Sequence, residues 1–427
     1  MAYLFPGALI WGAYLGLKKR HEKASLVVRD QELEAGLTEP ASLHPVIDAK
    51  LCQGCAACVH ACPENKVLGI IGRKAQLIGP THCVGHGACK TSCPFDAITL
   101  VFGTAKRGVD IPQVEPNFET NVPGIFIAGE LGGMGLIRNA VTQGHQALDF
   151  IRKKEGVGQG KGLDVVVVGG GPAGFSASLA AMEKKLRYVT LEQDTLGGTV
   201  SHFPRGKVVM TAPMHLPMYG KVKMRETSKE ALLELWEEVE KKSGVKINYK
   251  ERVEAITKNG NGFEVKTQRH TYQTKTVLLA IGRRGTPRKL GVPGEELPKV
   301  VYRLIDPEQY KNQHVLVVGG GDSAIEAATS IADKPGTTVS ISYRSEAFSR
   351  AKQKNRERVQ ELQEKKKLKV LMSSTVVSIT ETHVELDQKG TSVILENNAV
   401  IVCAGGILPT GFLKEVGISV ETKYGTP

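Results

Sequence analysis

The sequence predicts an α/β protein: two three-layer units, a small α+β cysteine-rich unit ahead of them, and an apolar helix at the N-terminus. Three observations predict it. Two short, wholly apolar strands each run into a glycine loop and then a helical pattern, DVVVVGGGPAGFSASLAAM from Asp164 and HVLVVGGGDSAIEAATSIA from His314. Seven of the eight cysteines fall between Cys52 and Cys93. The chain has 427 residues, 41% of them hydrophobic and 47 of them glycine, which suits several globular domains joined by tight turns.

In chain order, residues 1–17 carry no charge, and Lys18, Lys19 and Arg20 follow at once. As a helix this run spans about 25 Å, slightly short of a ~30 Å hydrocarbon core. No basic region precedes it and no small-residue cleavage site follows, so a cleaved secretory signal is not expected. The run reads as a membrane anchor, with the body on the cytoplasmic side of the inner or cell membrane. The alternative is an apolar helix docked on the protein or on a partner subunit. Residues 18–47, charged and then rich in Glu, Pro, Ser and Thr, read as a tether. The net charge of +12 suits an anionic membrane surface, phosphates or acidic redox proteins. Nucleic acid is not expected: aromatics are 5% and no arginine-rich tract is interleaved with them.

Cysteines clustered in this way argue for metal ligation in a reducing compartment and against a disulfide framework. Cys52, Cys55, Cys58 and Cys62, followed by Pro63, give C-x2-C-x2-C-x3-C-P, the run that wraps a four-iron cluster and sends its fourth thiolate to a neighbouring one. A second run follows at Cys83, Cys89, Cys93 and Pro94, with His86 where its second cysteine is due. Paired zinc knuckles rarely show this triple spacing twice. The crossed assignment gives one cluster to Cys52, Cys55, Cys58 and Cys93, and the other to Cys62, Cys83 and Cys89. Either His86 completes the second as an imidazole ligand, or that cluster has three irons and His86 only lines it. His60 and His82 read as solvent-facing or supporting residues. Residues 48–103 resemble bacterial two-cluster ferredoxins.

The first glycine loop has Gly169, Gly171 and Gly174, with Pro172 and Ala173 between them, and Glu192 ends the next strand pattern, RYVTLE. Glycines let backbone approach a pyrophosphate, the helix N-terminus faces it, and the acid can bond a ribose hydroxyl. The second loop has Gly319, Gly321, Asp322, Ser323 and Ala324. Its next strand, TTVSISYR, ends on Arg344 in place of an acid, with Arg350 beyond, which favours a 2′-phosphate and so NADPH over NADH. Glu346 leaves NADH open.

Two such loops with VLLAIGRRGTPR between them resemble the thioredoxin-reductase-like superfamily over roughly residues 105–427, and within it the ferredoxin–NADP reductases, since no CxxC precedes the second loop. The resemblance implies two Rossmann-type dinucleotide-binding domains, FAD in the first, and a homodimer. It assigns Gly197, Gly198 and Gly282 to the flavin. In that superfamily a motif of the form TNVPGIFxAGD closes the flavin site near the C-terminus. Here TNVPGIFIAGE stands at residues 120–130, ahead of the first loop, and adds Gly129, Glu130, Asn139 and Ala140 to the flavin set. Either the flavin domain is circularly permuted, or a second protomer supplies this segment. The expected domains are then 48–103 for the ferredoxin unit, 104–155 for the displaced part of the flavin domain, 156–162 for a flexible linker, 163–292 for the flavin domain, 293–396 for the nicotinamide domain and 397–427 for the return to the flavin domain. The basic run 350–369 reads as a solvated helix face, and Cys403, in AVIVCAGG, as a packed core residue.

The expected function is electron transfer from NADPH through FAD to the clusters and on to a redox protein or membrane acceptor, with the reverse flow equally allowed. These transfers require no acid–base side chain, so no catalytic residue is assigned. The rivals are a disulfide reductase without CxxC, and a subunit or sensor in a larger redox complex.

Overall fold

The computed structural model describes residues 4–40, 43–64, 66–83, 85–105, 108–133, 135–210, 213–224, 226–283, 285–349 and 351–425; Arg350 lies outside them. Helix α1 (Leu4–Glu34) is continuous over 31 residues, so the division into an anchor at 1–17 and a tether at 18–47 does not hold. The residues after Lys18 are mostly good helix formers, and one face of the helix is held down. Glu22 Oε1 accepts from the Gly72 amide at 2.6 Å, and Thr81 Oγ1 donates to Glu32 Oε2 at 3.1 Å. Among the described residues no helix is long and apolar enough to cross a membrane, because the uncharged run stops at Leu17 while α1 runs on through charged residues. The membrane-anchor expectation therefore has no structural support.

The cysteine-rich domain holds β1 (His44–Ile47), α2 (Ala57–Ala61), β2 (Leu68–Ile71), β3 (Lys74–Leu77), α3 (Ala88–Thr91) and β4 (Ile98–Val101). β1 pairs antiparallel with β4, and β2 with β3. Its core is small, Val67, Leu68, Ala75, Ala97 and Ile98 packed with Cys52, Cys58, Cys83 and Cys89. A domain this size needs some further staple.

The first nucleotide domain begins with β5 (Val109–Pro112), β6 (Ile125–Ile127) and α4 (Ile137–Ile151), continues through the linker to β7 (Leu163–Val168), α5 (Pro172–Glu183) and β8 (Tyr188–Leu191). Two ribbons follow, β9 (Val208–Met210) with β12 (Glu226–Ser228) and β10 (Met214–Leu216) with β11 (Gly220–Val222), and then α6 (Lys229–Ser243). A meander of β13 (Val253–Asn259), β14 (Gly262–Thr267) and β15 (Thr271–Leu279) completes the sheet, in the order β13-β14-β15-β7-β8. The displaced motif takes its place here. β6 pairs parallel with β15, Ile125 opposite Val277 and Ile127 opposite Leu279, while β7 lies on the other side of β15. The chain's own segment thus joins its own sheet.

The linker at 156–162, expected to be flexible, is tied down. The Gly158 amide donates to Asp164 Oδ1 at 2.8 Å, Arg187 Nη2 donates to the Gln159 carbonyl at 2.8 Å, and Lys275 Nζ bonds the Gly156 carbonyl.

The second nucleotide domain starts after β16 (Thr286–Pro287) and runs β17 (Val300–Val301), β18 (His314–Val318), α7 (Asp322–Ala332), β19 (Thr338–Tyr343), α8 (Gln353–Glu364) and β20 (Leu368–Met372). An antiparallel sheet of β21 (Ser374–Ile379), β22 (His383–Gln388) and β23 (Thr391–Glu396) leads to β24 (Ala399–Val402). β24 lies inside the parallel sheet β17-β24-β18-β19-β20, so the return to the first domain starts after Val402 and not at 397. Cys403 follows that strand half-buried, against the core as expected. β25 (Gly406–Ile407) pairs with β16, and α9 (Thr410–Glu415) and β26 (Val420–Lys423) rejoin the first domain. There Leu413 and Ile418 pack with Ile125, Val166 and Leu279.

The strand β26 pairs antiparallel with β5, Val420 opposite Pro112 and Lys423 opposite Val109. The Gly425 amide bonds the Phe102 carbonyl at 2.8 Å. The cysteine-rich domain thus enters the body at the tip of this antiparallel pair.

Candidate functional site: two glycine loops and two cysteine rings

The first loop is built by close backbone approach. A Cβ on Gly174 would sit 1.7 Å from the Gly169 carbonyl oxygen, and one on Gly198 would sit 3.0 Å from the Gly171 Cα. Only glycine fits where the strand, the loop and the TLGGT turn meet. Pro172 takes the first position of α5, where its missing N–H costs nothing. Glu192 is buried, and its two oxygens accept from the Gly170 amide at 2.6 Å and the Asp194 amide at 2.8 Å. Burial pushes its carboxyl above the usual value, with those amides opposing.

The displaced segment comes to the same place. Ala173 and Ala140 flank Gly129, whose amide donates to Gln143 Oε1 at 2.8 Å. On the next turn of α4, a Cβ on Gly144 would lie 2.0 Å from the Ala173 carbonyl, so α4 and α5 touch backbone to backbone. Asn139 and Ala140 occupy the first turn of α4. Arg283, next to Gly282, donates through Nη2 to the Asp110 carbonyl at 2.9 Å; burial lowers its pKa while the Glu130 and Asp110 carboxylates oppose. All thirteen residues assigned to the flavin thus belong to segments that converge on the N-terminus of α5. Gln143 and Arg283, inside strings that the sequence singles out without naming either residue, lie in the same segments.

In the second loop the space around Gly321 is open, and Gly321 is the N-cap of α7. Ala324 is buried under the loop and Ser323 is exposed. Asp322 is already engaged: its Oδ1 accepts from the Lys352 amide at 2.8 Å and Asn355 Nδ2 at 2.7 Å. Its carboxylate thereby holds the α8 entry. Arg344 and Glu346 both stand exposed just past β19.

The cysteines form two rings, each around a cavity. Cys52, Cys55, Cys58 and Cys93 line one, with Phe95 and Ile98; Cys62, Cys83, His86 and Cys89 line the other, with Glu64 and Leu100. The grouping is the crossed one that the spacing predicts. Burial, reinforced by Cys52 and Cys55, pushes the Cys58 thiol up to about 11; burial, reinforced by Cys89, Cys62 and Glu64, does the same for Cys83. Such thiols ionise only against a compensating cation, which the iron of a bound cluster would supply. Burial lowers the His86 pKa, the neighbouring Arg138 and Lys352 add to the effect, and Glu64, 3.8 Å away, opposes it. The neutral imidazole that results is the form that binds metal. Among the described residues no three His, Cys, Asp or Glu side chains converge on a single ion position. Rings of donors around a cavity suit a cluster.

His60 is exposed, whereas His82 is buried with Nε2 3.4 Å from Glu32 Oε1. Arg356 of α8 joins them, donating to Thr81 Oγ1 at 3.2 Å and lying 3.9 Å from Glu32 Oε1. Burial opposes ionisation of Glu32, but His82, Thr81 and Arg356 together hold its carboxyl below the usual value. The basic run of α8 is therefore not a purely solvated face: Val359 and Leu362 enter the core and Arg356 docks on the cysteine-rich domain.

Known proteins resemble both the nucleotide-binding body and the cysteine-rich domain. A ferredoxin–NADP reductase from Ignicoccus hospitalis is 33% identical over 186 residues, 43% of this chain and 57% of that relative, so the chain spans little more than half its length. Bacilliredoxin reductase Bdr from Bacillus subtilis is 26% identical over 61% of this chain and 82% of its own. Among solved structures, the bacillithiol disulfide reductase Bdr (YpdA) from Staphylococcus aureus has a TM-score of 0.55 at 25% identity, covering 60% of this chain and 80% of that one. A 4Fe-4S dicluster domain matches residues 44–94, and the match to the main family begins inside β7, leaving the permuted segment outside it. Because that match runs over residues 166–427, more than half of the chain, the protein belongs to the pyridine nucleotide-disulphide oxidoreductase family and carries a 4Fe-4S dicluster domain ahead of it.

Proposed function

We propose that this chain is an NADPH-dependent flavin and iron–sulfur oxidoreductase that passes electrons from NADPH through FAD to two ferredoxin-type clusters and on to an electron-transfer partner. The observation that carries the reading is the docking of a domain with two cysteine rings against the segment that closes the flavin site. Bound FAD supplies the conversion between the two-electron chemistry of a dinucleotide and one-electron carriers. The chain's own groups position the cofactors. The N-termini of α5 and α7 offer free amides and a positive dipole end to pyrophosphates, and the open space at Gly321 admits one. Glu192 offers its remaining lone pairs to a ribose hydroxyl.

Anaerobic titration with NADPH, and separately with NADH, followed by absorbance and EPR, tests the reading. Loss of the flavin bands together with new reduced-cluster signals is the expected result; a flavin that NADPH leaves oxidised would sink it. Arg344→Glu should raise KM for NADPH by roughly 10–100-fold and leave NADH nearly unchanged, since a charge-assisted bond contributes about 1.5–3 kcal/mol. An unchanged ratio of the two KM values would remove Arg344 from the site.

The likeness to Bdr favours a second reading, reduction of a disulfide substrate. Cys403, the one cysteine outside the 52–93 cluster, has its carbonyl packed against Gly319 of the second loop. Turnover of a bacillithiol or protein disulfide with NADPH, lost in Cys403→Ser, would put this reading ahead.

A further inference from the structure

The two cysteine rings face different neighbours. Around the ring of Cys62, Cys83, His86 and Cys89, the cysteine-rich domain meets the rest of the chain. His86 faces Arg138, in the first turn of α4, and Lys352, at the N-cap of α8. Thr81, two residues before Cys83, accepts from Arg356 at 3.2 Å. Phe102, just past β4, fills the space over Gly133 in the closing segment, where a Cβ would meet its ring at 2.4 Å. Contacts thus reach this ring from the flavin-closing segment and from the nicotinamide domain alike.

The ring of Cys52, Cys55, Cys58 and Cys93 is wrapped by its own domain. The Ala75 amide donates to Cys52 Sγ at 3.4 Å, Lys74 Nζ donates to the Cys52 carbonyl at 2.6 Å, and Gly54 packs on the Arg73 carbonyl. Its outer side is open. Cys55 is exposed, Phe95 is 44% exposed and Leu51 49%.

We propose, resting on the electron-transfer reading above, that electrons enter the cysteine-rich domain through the Cys62–Cys83–His86–Cys89 ring and leave through the Cys52–Cys55–Cys58–Cys93 ring, at the surface formed by Cys55 and Phe95. Electron tunnelling falls exponentially with distance, so the ring packed against the flavin segment receives and the ring open to solvent delivers. The balance is NADPH plus two oxidised one-electron acceptors giving NADP+, one proton and two reduced acceptors. The pair arrives as hydride, the electrons leave singly, and the proton goes to solvent. Cys55 and Phe95 are then the contact made by the acceptor protein, and His86 sits at the entry.

The test reduces bound flavin with light and EDTA in the full reconstituted chain, so it does not depend on NADPH. In Cys62→Ala, the surviving cluster should give its EPR signal with dithionite but stay oxidised when only the flavin is reduced. In Cys55→Ala, the surviving cluster should still take its electron from the flavin, while delivery to an added bacterial ferredoxin falls to background. The dithionite signal confirms that each variant is assembled. Cys55→Ser, which keeps an oxygen ligand, covers the case of a variant that does not fold: in freeze-quenched samples it should alter only the signal that develops second. The reverse pattern, with Cys62→Ala harmless to flavin-driven reduction or Cys55→Ser altering the first signal, overturns the order of the rings. If neither cluster takes an electron from reduced flavin, the electron-transfer reading falls, and this order with it. Flavin that light reduces and NADPH does not indicts only the nicotinamide half of that reading.

Discussion

Asp164→Ala should lower stability by about 3 kcal/mol, the low end of the ~3–5 kcal/mol lost when one partner of a buried pair is removed, because Arg187 remains partly in water. Asp164 is fully buried at the start of β7, and its carboxylate accepts four hydrogen bonds with Lys275 Nζ 3.5 Å from Oδ1. Its Oδ2 accepts from the Arg187 amide at 3.0 Å and Arg187 Nε at 2.9 Å, and its Oδ1 accepts from Arg187 Nη2 at 2.6 Å and the Gly158 amide at 2.8 Å. One carboxylate therefore joins the linker, the first strand and the strand beside it. Burial opposes its ionisation, yet Arg187 and the two amides hold its pKa down at about 2. A pKa below the unfolded value of ~3.9 means that the stabilisation is complete above that value and is lost as pH falls toward 2. Thermal scans should show the flavin-bearing transition falling by roughly 6–12 °C near neutral pH. The gap between wild type and Asp164→Asn should close between about pH 4 and pH 2. A gap independent of pH would mean that the side chain acts by packing alone.

The sequence carried a large share of the site because its parts are backbone features with fixed spacing. Strand, glycine loop and helix are contiguous, so Gly169 to Gly174 and Gly319 to Ala324 could be placed from the string alone. The crossed cysteine rings followed from three-residue spacings that leave Cys62 and Cys93 pointing away from their own runs. The TNVPGIFIAGE motif announced its partners even out of order, since β6 needs only an unpaired edge of β15 to dock on. What the string hid was long-range. Nothing local tells that Lys423 lies opposite Val109, or that Arg356, one cation in a basic run, is bonded to Thr81. The α1 helix misled for a related reason: composition changes at Lys18, and a change in polarity is not a change in backbone conformation. Nor does the string tell that Asp322, in the second loop, also receives the Lys352 amide and Asn355 Nδ2 at the entry to α8.

Gly144→Ala should release FAD although alanine is the better helix former by about 1 kcal/mol. In α4 the substitution has only one obstacle, and it is backbone: the new Cβ would lie 2.0 Å from the Ala173 carbonyl oxygen and 2.9 Å from its carbon. Neither atom belongs to a side chain that can turn away, so α4 must move off α5. Overpacking of this kind costs about 1–3 kcal/mol. The displacement also pulls on Gly129, whose amide donates at 2.8 Å to Oε1 of Gln143, the residue before Gly144 on the same helix. Flavin affinity should fall at least about tenfold for each 1.4 kcal/mol that goes into moving the closing segment. The purified variant should lose its flavin absorbance on gel filtration while its cluster absorbance remains, because the cysteine rings lie in another domain. This outcome separates a flavin site closed by the chain's own permuted segment from one that does not use it. If Gly144→Ala holds FAD as tightly as the wild type, residues 120–151 are not part of the flavin site, and the entry route assigned to the His86 ring loses its nearest neighbour.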